Sequence, residues 1–310
     1  MDKDGYKPDI VIYHHPCDDG FGAAWAAWMR WRDDVHYIPA AYGQAYPDVA
    51  GKHVLIVDFS YKRDVLREMA KSARSIIVLD HHKTAQADLA DWAVDDVAGD
   101  FWAGDDPMKS VRRMDEYVGQ PIAALFNMNK SGARMAWEFC HDSEAPDLIK
   151  LIEDRDLWRF SMEDTKAFSL WLRSSEYNFE DWEMISQQLH DARDRDRIMT
   201  EASAMKRFYD QKIVEMAQLA HWTDVGGHSV PTVNCPGMFA SDVCHELLDM
   251  FPASPFVASF HVGDGYKSFS LRSQDHRADV SAIAASFGGG GHRNAAGFRE
   301  LPPPPSGPRP

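Results

Sequence analysis

Carboxylate and imidazole side chains recur where three predicted strands end. The segment HHPCDDG covers residues 14–20, Asp58 ends a second apolar run, and residues 80–82 read Asp-His-His after a third. Asp154 adds a carboxylate towards the end of a later predicted helix. Carboxylate and imidazole donors without paired thiolates suit Mn²⁺, Zn²⁺ or Fe²⁺ better than Ca²⁺ or Mg²⁺ alone. The residue types therefore predict a transition-metal site.

The chemistry predicted for this site is the hydrolysis of a phosphate ester. Anionic groups that converge on one crevice repel one another unless cations lie among them. Two divalent ions about 3.5–4 Å apart would balance the charge and form a centre for phosphoryl transfer. A water held between two such ions loses its proton near neutral pH and becomes the nucleophile, while the ions neutralise charge on the phosphorus oxygens.

The elements that must position these side chains alternate between strand and helix. Strands are predicted at 9–15, 53–60 and 75–79, with a helix from about residue 20 after the first and a helix over 62–73 after the second. This alternation predicts an α/β fold with a doubly wound parallel sheet. Ligands of such sheets bind beyond the carboxyl ends of the strands, which is where all three polar segments lie.

The rest of the chain is predicted to form more helices and a smaller α/β domain. Ser131 is a predicted N-cap, and a helix is predicted over 146–158. The strongest helical pattern is that of 194–221, where apolar residues recur every three or four positions. We predict four segments, which are a metal-binding catalytic domain over 1–193, a linker helix over 194–221, a substrate-binding domain over 222–301 and a disordered proline-rich tail over 302–310.

Composition and charge narrow the class of protein and of substrate. The chain is 45% hydrophobic and 26% charged, which is typical of soluble globular proteins, and no apolar run approaches the length of a membrane span. The four cysteines show no CxxC spacing, and we expect a cytoplasmic protein. The net charge of −15 repels polyanions at long range, so a long nucleic acid is excluded and a small phosphate-bearing substrate is favoured.

The chain resembles the DHH family of phosphoesterases with a DHH-associated C-terminal domain. The segments that carry the resemblance occur in the family's order, and they are HHPCDDGFGAA, VDFS, LDHH, EDRDLW, SLRS and DVSAIAASFGGGGHRNAAGF. These segments are distributed along nearly the whole chain, from about residue 9 to residue 298. LDHH alone would be weak support, but LDHH combined with GGGGHRNAAGF at this distance is specific.

The resemblance implies two Mn²⁺ ions, with Mg²⁺ or Co²⁺ as possible substitutes, and it implies roles for individual residues. Asp58 matches the carboxylate that bridges the ions. Asp80 and His82 match residues that orient ligands, contact phosphate or protonate the leaving group. The remaining matched metal ligands are His14, Asp19, His81 and Asp154. Asp156 is interpreted as a solvated acid or as a partner of a ligand.

The first motif departs from the family pattern at one position. Cys17 stands where the family usually has an aspartate. Either Cys17 binds the metal as a thiolate, or Asp18 takes its place, or one metal is bound weakly. His14 and His15 also compete for one ligand position, because adjacent residues of a strand point to opposite faces. We favour His14.

The C-terminal domain is predicted to bind the phosphate of the substrate. The glycine run 288–291, which includes Gly290 and Gly291, would let the backbone approach an anion, and a helix after it would add N–H donors. His292 and Ser273 would hydrogen-bond phosphate, and Arg272 would bind it through two donors. By resemblance, these residues hold a 5′ phosphate or a terminal nucleotide.

Three functions remain open from the sequence. The first is a Mn²⁺-dependent phosphodiesterase, a nuclease in the broad sense, that acts on short oligonucleotides, dinucleotides or cyclic nucleotides. The second is a phosphatase that acts on a nucleoside bisphosphate or on polyphosphate. The third is a nucleotide sensor with a degenerate first motif, which only Cys17 supports. The resemblance also implies a possible homodimer.

Overall fold

The computed structural model describes residues 6–94, 107–263 and 265–300. The chain forms two compact units, Met1–Lys206 and Arg207–Pro310. The predicted disordered tail over 302–310 lies outside the described residues. Within those residues, no helix combines the length and the apolar character that a membrane crossing requires.

The first unit alternates strands and helices. Its elements are β1 (Ile10–His14), α1 (Asp18–Trp31), β2 (His36–Ala40), β3 (His53–Val57), α2 (Arg63–Ala70), β4 (Ser75–Asp80), α3 (Lys83–Asp88), β5 (Ala93–Val94), α4 (Met108–Val118), β6 (Ile122–Phe126), α5 (Gly132–Cys140), α6 (Asp147–Asp156), α7 (Thr165–Leu172) and α8 (Phe179–His190). A long helix, α9 (Ala192–Ala217), contains the division between the two units.

The six strands of the first unit form one parallel sheet in the order β2-β1-β3-β4-β6-β5. Alternate strand residues face two different cores because successive side chains point to opposite faces of a strand. Val11, Leu55 and Ile77 pack in the core that contains α1 and α5. Ile12 and Ile56 pack in the other core, together with residues of α2. Helices therefore cover both faces, and the predicted doubly wound α/β fold is confirmed.

The order of the strands places β1, β3 and β4 side by side at the centre of the sheet. Each ends at a polar segment from the sequence analysis, so the three segments lie at one edge. The prediction did not include β2, β5 or β6. The sequence of β2 is HYIPA, and most of its residues are at least partly exposed, so it lacks the continuous apolar run of a central strand.

The second unit is built on a mixed six-stranded sheet in the order β11-β12-β10-β9-β8-β7. The strands β8 and β9 pair in parallel and the other pairs are antiparallel. Its elements are β7 (His221–Val225), β8 (His228–Asn234), α10 (Ala240–Met250), β9 (Val257–Gly263), β10 (Tyr266–Arg272), α11 (Val280–Ser286), β11 (Gly290–His292) and β12 (Ala295–Glu300). This architecture agrees with the predicted smaller α/β domain.

Candidate metal centre

The end of β1 directs His14 towards the other acidic segments and His15 away from them. His14 Nδ1 lies 3.6 Å from Asp58 Oδ2. The ring of His15 instead packs against Tyr177, with the ring centroids 5.4 Å apart. The alternation of a strand explains this difference. Of the two histidines that the sequence left open, the structure places His14 at the centre.

Of Cys17 and Asp18, at the start of α1, only Cys17 lies beside His14 and Asp58. One donor atom from each of His14, Cys17 and Asp58 lies within 4.8 Å of the other two. The carboxylate of Asp18 accepts hydrogen bonds from Arg173 Nε at 2.7 Å and from the Tyr177 hydroxyl at 2.9 Å. These partners hold Asp18 outside the donor set, so the geometry favours Cys17 over Asp18.

Three carboxylates converge on one nitrogen of His81. His81 Nε2 lies 3.1 Å from Asp58 Oδ1, 3.5 Å from Asp19 Oδ2 and 3.6 Å from Asp156 Oδ2. The side chains of Asp19, Asp58 and His81 are at most 2% exposed, and that of Asp156 is 29% exposed. Three carboxylates this close together repel one another, and a divalent cation among them would balance their charge. The residues present therefore fit a metal ion, with Asp156 on the open side.

Asp58 is common to three groups of donors. It lies with His14 and Cys17, with Asp19 and His81, and with Asp80 and His82. Because Asp80 and His82 bond to each other at 2.6 Å, the first two groups are the candidate donor sets for metal ions. The backbone of Asp58 adopts a φ of 52°, a left-handed conformation that costs a non-glycine residue about 1–3 kcal/mol. The side chain is nevertheless buried directly after β3, as the position of a bridging carboxylate requires.

The N-terminus of α5 holds Asp19 in place. Its two carboxylate oxygens accept hydrogen bonds from the backbone N–H groups of Gly132 at 2.6 Å and Ala133 at 2.9 Å. The positive end of the helix dipole adds to these bonds. Ser131 caps the helix as predicted, with its Oγ accepting from Arg134 N. The first motif is thus oriented by an element more than a hundred residues later in the chain.

Asp80 orients His82, and both of its carboxylate oxygens are hydrogen-bonded. Its Oδ1 accepts from the backbone N–H groups of His81 and His82 and lies 2.6 Å from His82 Nδ1. Its Oδ2 accepts from Ser60 Oγ at 2.6 Å. Asp80 therefore holds the ring of His82 in place, and its predicted role at a metal or phosphate stays a prediction. His82 is 17% exposed through its side chain and can meet a substrate.

The structure does not support Asp154 as a metal ligand. Its Oδ1 accepts from the backbone N–H and the hydroxyl of Ser161, and its Oδ2 accepts from Met162 N and Thr165 Oγ1. These four bonds fix the loop between α6 and α7. Asp156, which was predicted to be a solvated acid or a partner of a ligand, points at His81 instead. Of the two acids in the segment EDRDLW, the geometry therefore favours Asp156 as a candidate ligand.

The acids of the centre differ in how readily they lose a proton. Burial raises the pKa of Asp19 well above its usual range, and the neighbouring charges of Asp58 and Asp156 add to this. Burial also raises the pKa of Asp156. For Asp58 burial acts in the same direction, but hydrogen bonds from His14 and His81 outweigh it and lower its pKa. Burial and the nearby carboxylates raise the pKa of the Cys17 thiol well above normal.

Metal uptake is expected to release protons and to strengthen as pH rises. Groups with a raised pKa, such as Asp19 and Cys17, keep their protons to higher pH, and a cation must displace them before it can bind. We expect calorimetric titration with Mn²⁺ to show proton release, and the apparent Mn²⁺ affinity to increase from mildly acidic to mildly alkaline pH. An affinity independent of pH, with no proton released, would contradict this protonation pattern.

Gly132 is required by the close approach of α5 to Asp58. A Cβ at this position would lie 2.7 Å from Asp58 Oδ1 and 2.8 Å from Asp58 Cγ, closer than real Cβ atoms come. We expect Gly132→Ala to displace the carboxylate and to lower Mn²⁺ affinity by at least about tenfold. Gly237→Ala is the control for a glycine substitution, since its Cβ position meets only His261 at 3.8 Å or more and its backbone is not in the left-handed region. Unchanged Mn²⁺ affinity in a folded Gly132→Ala protein would refute the expectation.

An aromatic group that no sequence pattern indicates borders the centre. Tyr42, in the loop after β2, is 49% exposed. Its ring centroid lies 5.6 Å from that of His14 and 4.9 Å from that of Phe59. Phe59 itself stacks on His14 at 6.1 Å. A tyrosine in a loop carries no periodic or motif signal, so only the folded chain reveals its position.

The predicted substrate residues of the second unit have mixed outcomes. Arg272 lies on β10 and donates from its two terminal nitrogens to Ser241 Oγ and to the Leu271 carbonyl. It stays a predicted phosphate ligand, as does His292 on β11. Ser273 is only 3% exposed, and its hydroxyl donates to the Ala278 carbonyl at 2.7 Å. A buried hydroxyl with this partner does not support substrate binding, so the prediction for Ser273 is not upheld.

The glycine run leads into a strand, not into the helix that we expected. It follows α11, and Gly290 and Gly291 belong to β11, which pairs with β12. Gly291 has a φ of 138°, and a Cβ there would lie 2.5 Å from the Ala295 carbonyl oxygen. The tight β11–β12 pairing therefore accounts for at least one of these glycines. A role of Gly290 and Gly291 in anion binding stays a prediction.

A mimivirus protein is similar to nearly the whole chain. The chain is 30% identical over 320 residues to uncharacterized protein R106 of Acanthamoeba polyphaga mimivirus, which covers 94% of this chain and 67% of that protein. The chain belongs to the family of this viral protein. No protein-family model matches the chain.

A solved structure shows the fold of this chain. The DHH domain of a protein assigned to a family of ribosomal proteins aligns over 94% of this chain and 82% of its own, with 13% identity and a TM-score of 0.54. A pGpG-specific phosphodiesterase from Vibrio cholerae aligns over 94% of this chain and 93% of its own, with 11% identity and a TM-score of 0.44. The DHH fold expected from the motifs is confirmed by the first of these similarities.

Proposed function

We propose that the protein is a metal-dependent phosphoesterase that hydrolyses phosphodiester bonds in short nucleotide substrates. The observation that carries the proposal is the position of Asp58, which contributes to two sets of donors at the same edge of a parallel sheet. One carboxylate shared between two sets is the arrangement that a two-metal phosphoryl-transfer centre needs. The proposed activating ion is Mn²⁺, because carboxylates and imidazoles are the main donors of the centre.

Each set would hold one ion through side chains of the first unit. His14, Cys17 and Asp58 would hold the first ion, and Asp19, Asp58, Asp156 and His81 would hold the second. Bound ions supply a Lewis acid and lower the pKa of water. The 29% exposure of the Asp156 side chain leaves this side of the centre open to a substrate.

His82, oriented by Asp80, is proposed to protonate the leaving oxygen. Burial alone would lower the pKa of His82, but the charge of Asp80 and its hydrogen bond to Nδ1 raise it above the usual value. The raised pKa favours the protonated imidazole that a general acid needs, and Asp80 keeps the ring oriented. The proton on Nε2 would pass to the ester oxygen as the bond to phosphorus breaks.

The net charge supports a short substrate over a long one. A chain with a formal charge of −15 repels a polyanion outside its site, whereas a dinucleotide carries few phosphates and meets little of that field. Short oligonucleotides, linear dinucleotides and cyclic nucleotides are therefore the proposed substrates.

A substrate panel tests the proposed function. The full chain would be assayed with Mn²⁺, Mg²⁺ and Co²⁺ against dinucleotides, short oligonucleotides, cyclic nucleotides, nucleoside bisphosphates and polyphosphate. Chromatography would follow the nucleotides, and a separate assay would follow inorganic phosphate. We expect nucleoside monophosphates from the dinucleotides with Mn²⁺. Release of inorganic phosphate from bisphosphates or polyphosphate, with dinucleotides left intact, would replace the proposal by the phosphatase alternative.

A further inference from the structure

Cys17 differs from the other three cysteines in its surroundings. Cys140, Cys235 and Cys244 are buried, and Cys140 belongs to the apolar core around α1. Cys17 is partly exposed, and its sulfur lies within 4.8 Å of donor atoms of His14 and Asp58. A thiol that faces an imidazole and a buried carboxylate is surrounded by metal-binding groups, unlike a thiol packed in an apolar core.

The neighbours of Cys17 cannot take over its position. Asp18 is held by Arg173 and Tyr177, and the ring of His15 packs on Tyr177. Cys17 precedes α1 in an extended conformation, with φ −154° and ψ 135°, and so begins the helix that carries Asp19. The first donor set therefore comprises one nitrogen, one sulfur and one oxygen.

The second donor set contains no sulfur. It comprises carboxylate oxygens of Asp19, Asp58 and Asp156 around His81. Oxygen donors suit hard ions such as Mn²⁺ and Mg²⁺, whereas thiolate donors favour ions such as Zn²⁺ and Co²⁺. Two adjacent positions that share Asp58 thus offer different chemistry to a cation.

We propose that the two metal positions are not equivalent, and that the His14–Cys17–Asp58 position selects a thiophilic divalent ion of the Zn²⁺ class. The Asp19–Asp58–Asp156–His81 position takes the harder Mn²⁺ or Mg²⁺. The native centre is thus a mixed-metal pair in which the sulfur of Cys17 is a direct ligand. This inference rests on the proposed function, since it concerns the ions of the same centre.

Absorption spectroscopy of the Co²⁺-loaded full chain tests the sulfur bond without reference to turnover. The metal-free protein would be titrated with Co²⁺ under anaerobic conditions. We expect a sulfur-to-cobalt charge-transfer band in the near ultraviolet. The band should disappear in Cys17→Ser and Cys17→Asp and persist in Cys235→Ser, which removes a buried thiol of the second unit. A Co²⁺-loaded wild type without the band, or a band that survives in Cys17→Ser, would overturn the inference.

Competition between ions tests the selectivity. We expect Cys17→Asp to lower the preference for Zn²⁺ over Mn²⁺ by at least about tenfold, with circular dichroism showing that the variant is folded. An unchanged preference would overturn the inference. Hydrolysis of dinucleotides without the Co²⁺ band leaves the proposed function standing and removes the sulfur ligand. If the band is present but no nucleotide is hydrolysed, the sulfur ligand stands and the proposed function is removed.

Discussion

Asp58→Asn is expected to lower turnover by at least about 10³-fold, and to weaken the binding of both ions. The carboxylate of Asp58 lies 3.1 Å from His81 Nε2 and 3.6 Å from His14 Nδ1, so it contributes to both donor sets. An amide would present one neutral oxygen in place of the two charged oxygens that would hold the ions. The loss of several kcal/mol of transition-state stabilisation corresponds to a reduction of this size.

Asp18→Asn is the matched control for this experiment. Asp18 is also an acid of the segment HHPCDDG, but Arg173 and Tyr177 bind its carboxylate. We expect Asp18→Asn to keep the wild-type metal stoichiometry and most of the turnover. Equilibrium dialysis with Mn²⁺ and steady-state kinetics on the best substrate of the panel provide both measurements. A fully active Asp58→Asn enzyme would exclude a bridging role.

The second large effect is expected from Asp156→Asn and not from Asp154→Asn, although both acids lie in α6 and are two residues apart. Asp156→Asn removes a carboxylate that faces His81, so we expect Mn²⁺ affinity and turnover to fall by at least about tenfold each. Asp154→Asn should leave Mn²⁺ affinity close to that of the wild type. It should instead lower the free energy of unfolding by about 1–3 kcal/mol, because an amide cannot accept all four hydrogen bonds that fix the loop.

Dialysis with Mn²⁺ and chemical denaturation of the metal-free proteins distinguish these outcomes. Metal-free protein is used because bound ions would add their own stabilisation to the measured unfolding. The opposite pattern, in which Asp154→Asn loses the metal and Asp156→Asn loses only stability, would return the ligand role to Asp154. Equal effects of the two substitutions on Mn²⁺ affinity would refute the separation of roles.

The central strands could be predicted because each is a continuous apolar run with a polar end. Val54 to Val57 and Ser75 to Leu79 are almost completely buried, and the period of two assigns their residues to opposite cores. The strand β5 has only two residues, and β2 is partly exposed, so neither gives a comparable signal. Long, buried strands could therefore be predicted from the sequence, and short or partly exposed strands could not.

The site could be predicted as far as strand geometry and family motifs reach. His14, Asp58 and His81 lie where the strand ends put them. The geometry favours Asp156 over the predicted Asp154. The sequence could not show this, because residues two positions apart on a helix point about 200° apart and the pattern does not say which face meets the sheet. Gly132 and Tyr42 were missed because their contacts with Asp58 and His14 arise only when distant segments pack together.

The most direct test of the two-metal centre is anomalous diffraction at the manganese absorption edge. Crystals of the full chain would be grown from metal-free protein with excess Mn²⁺ as the only divalent ion, so that Mn²⁺ fills both positions without competition from Zn²⁺. We predict two peaks about 3.5–4 Å apart, with the carboxylate of Asp58 between them. His14 and Cys17 should contact one peak, and Asp19, Asp156 and His81 should contact the other. The absence of any peak beside Asp58, or a single ion bound without it, would contradict the proposed centre.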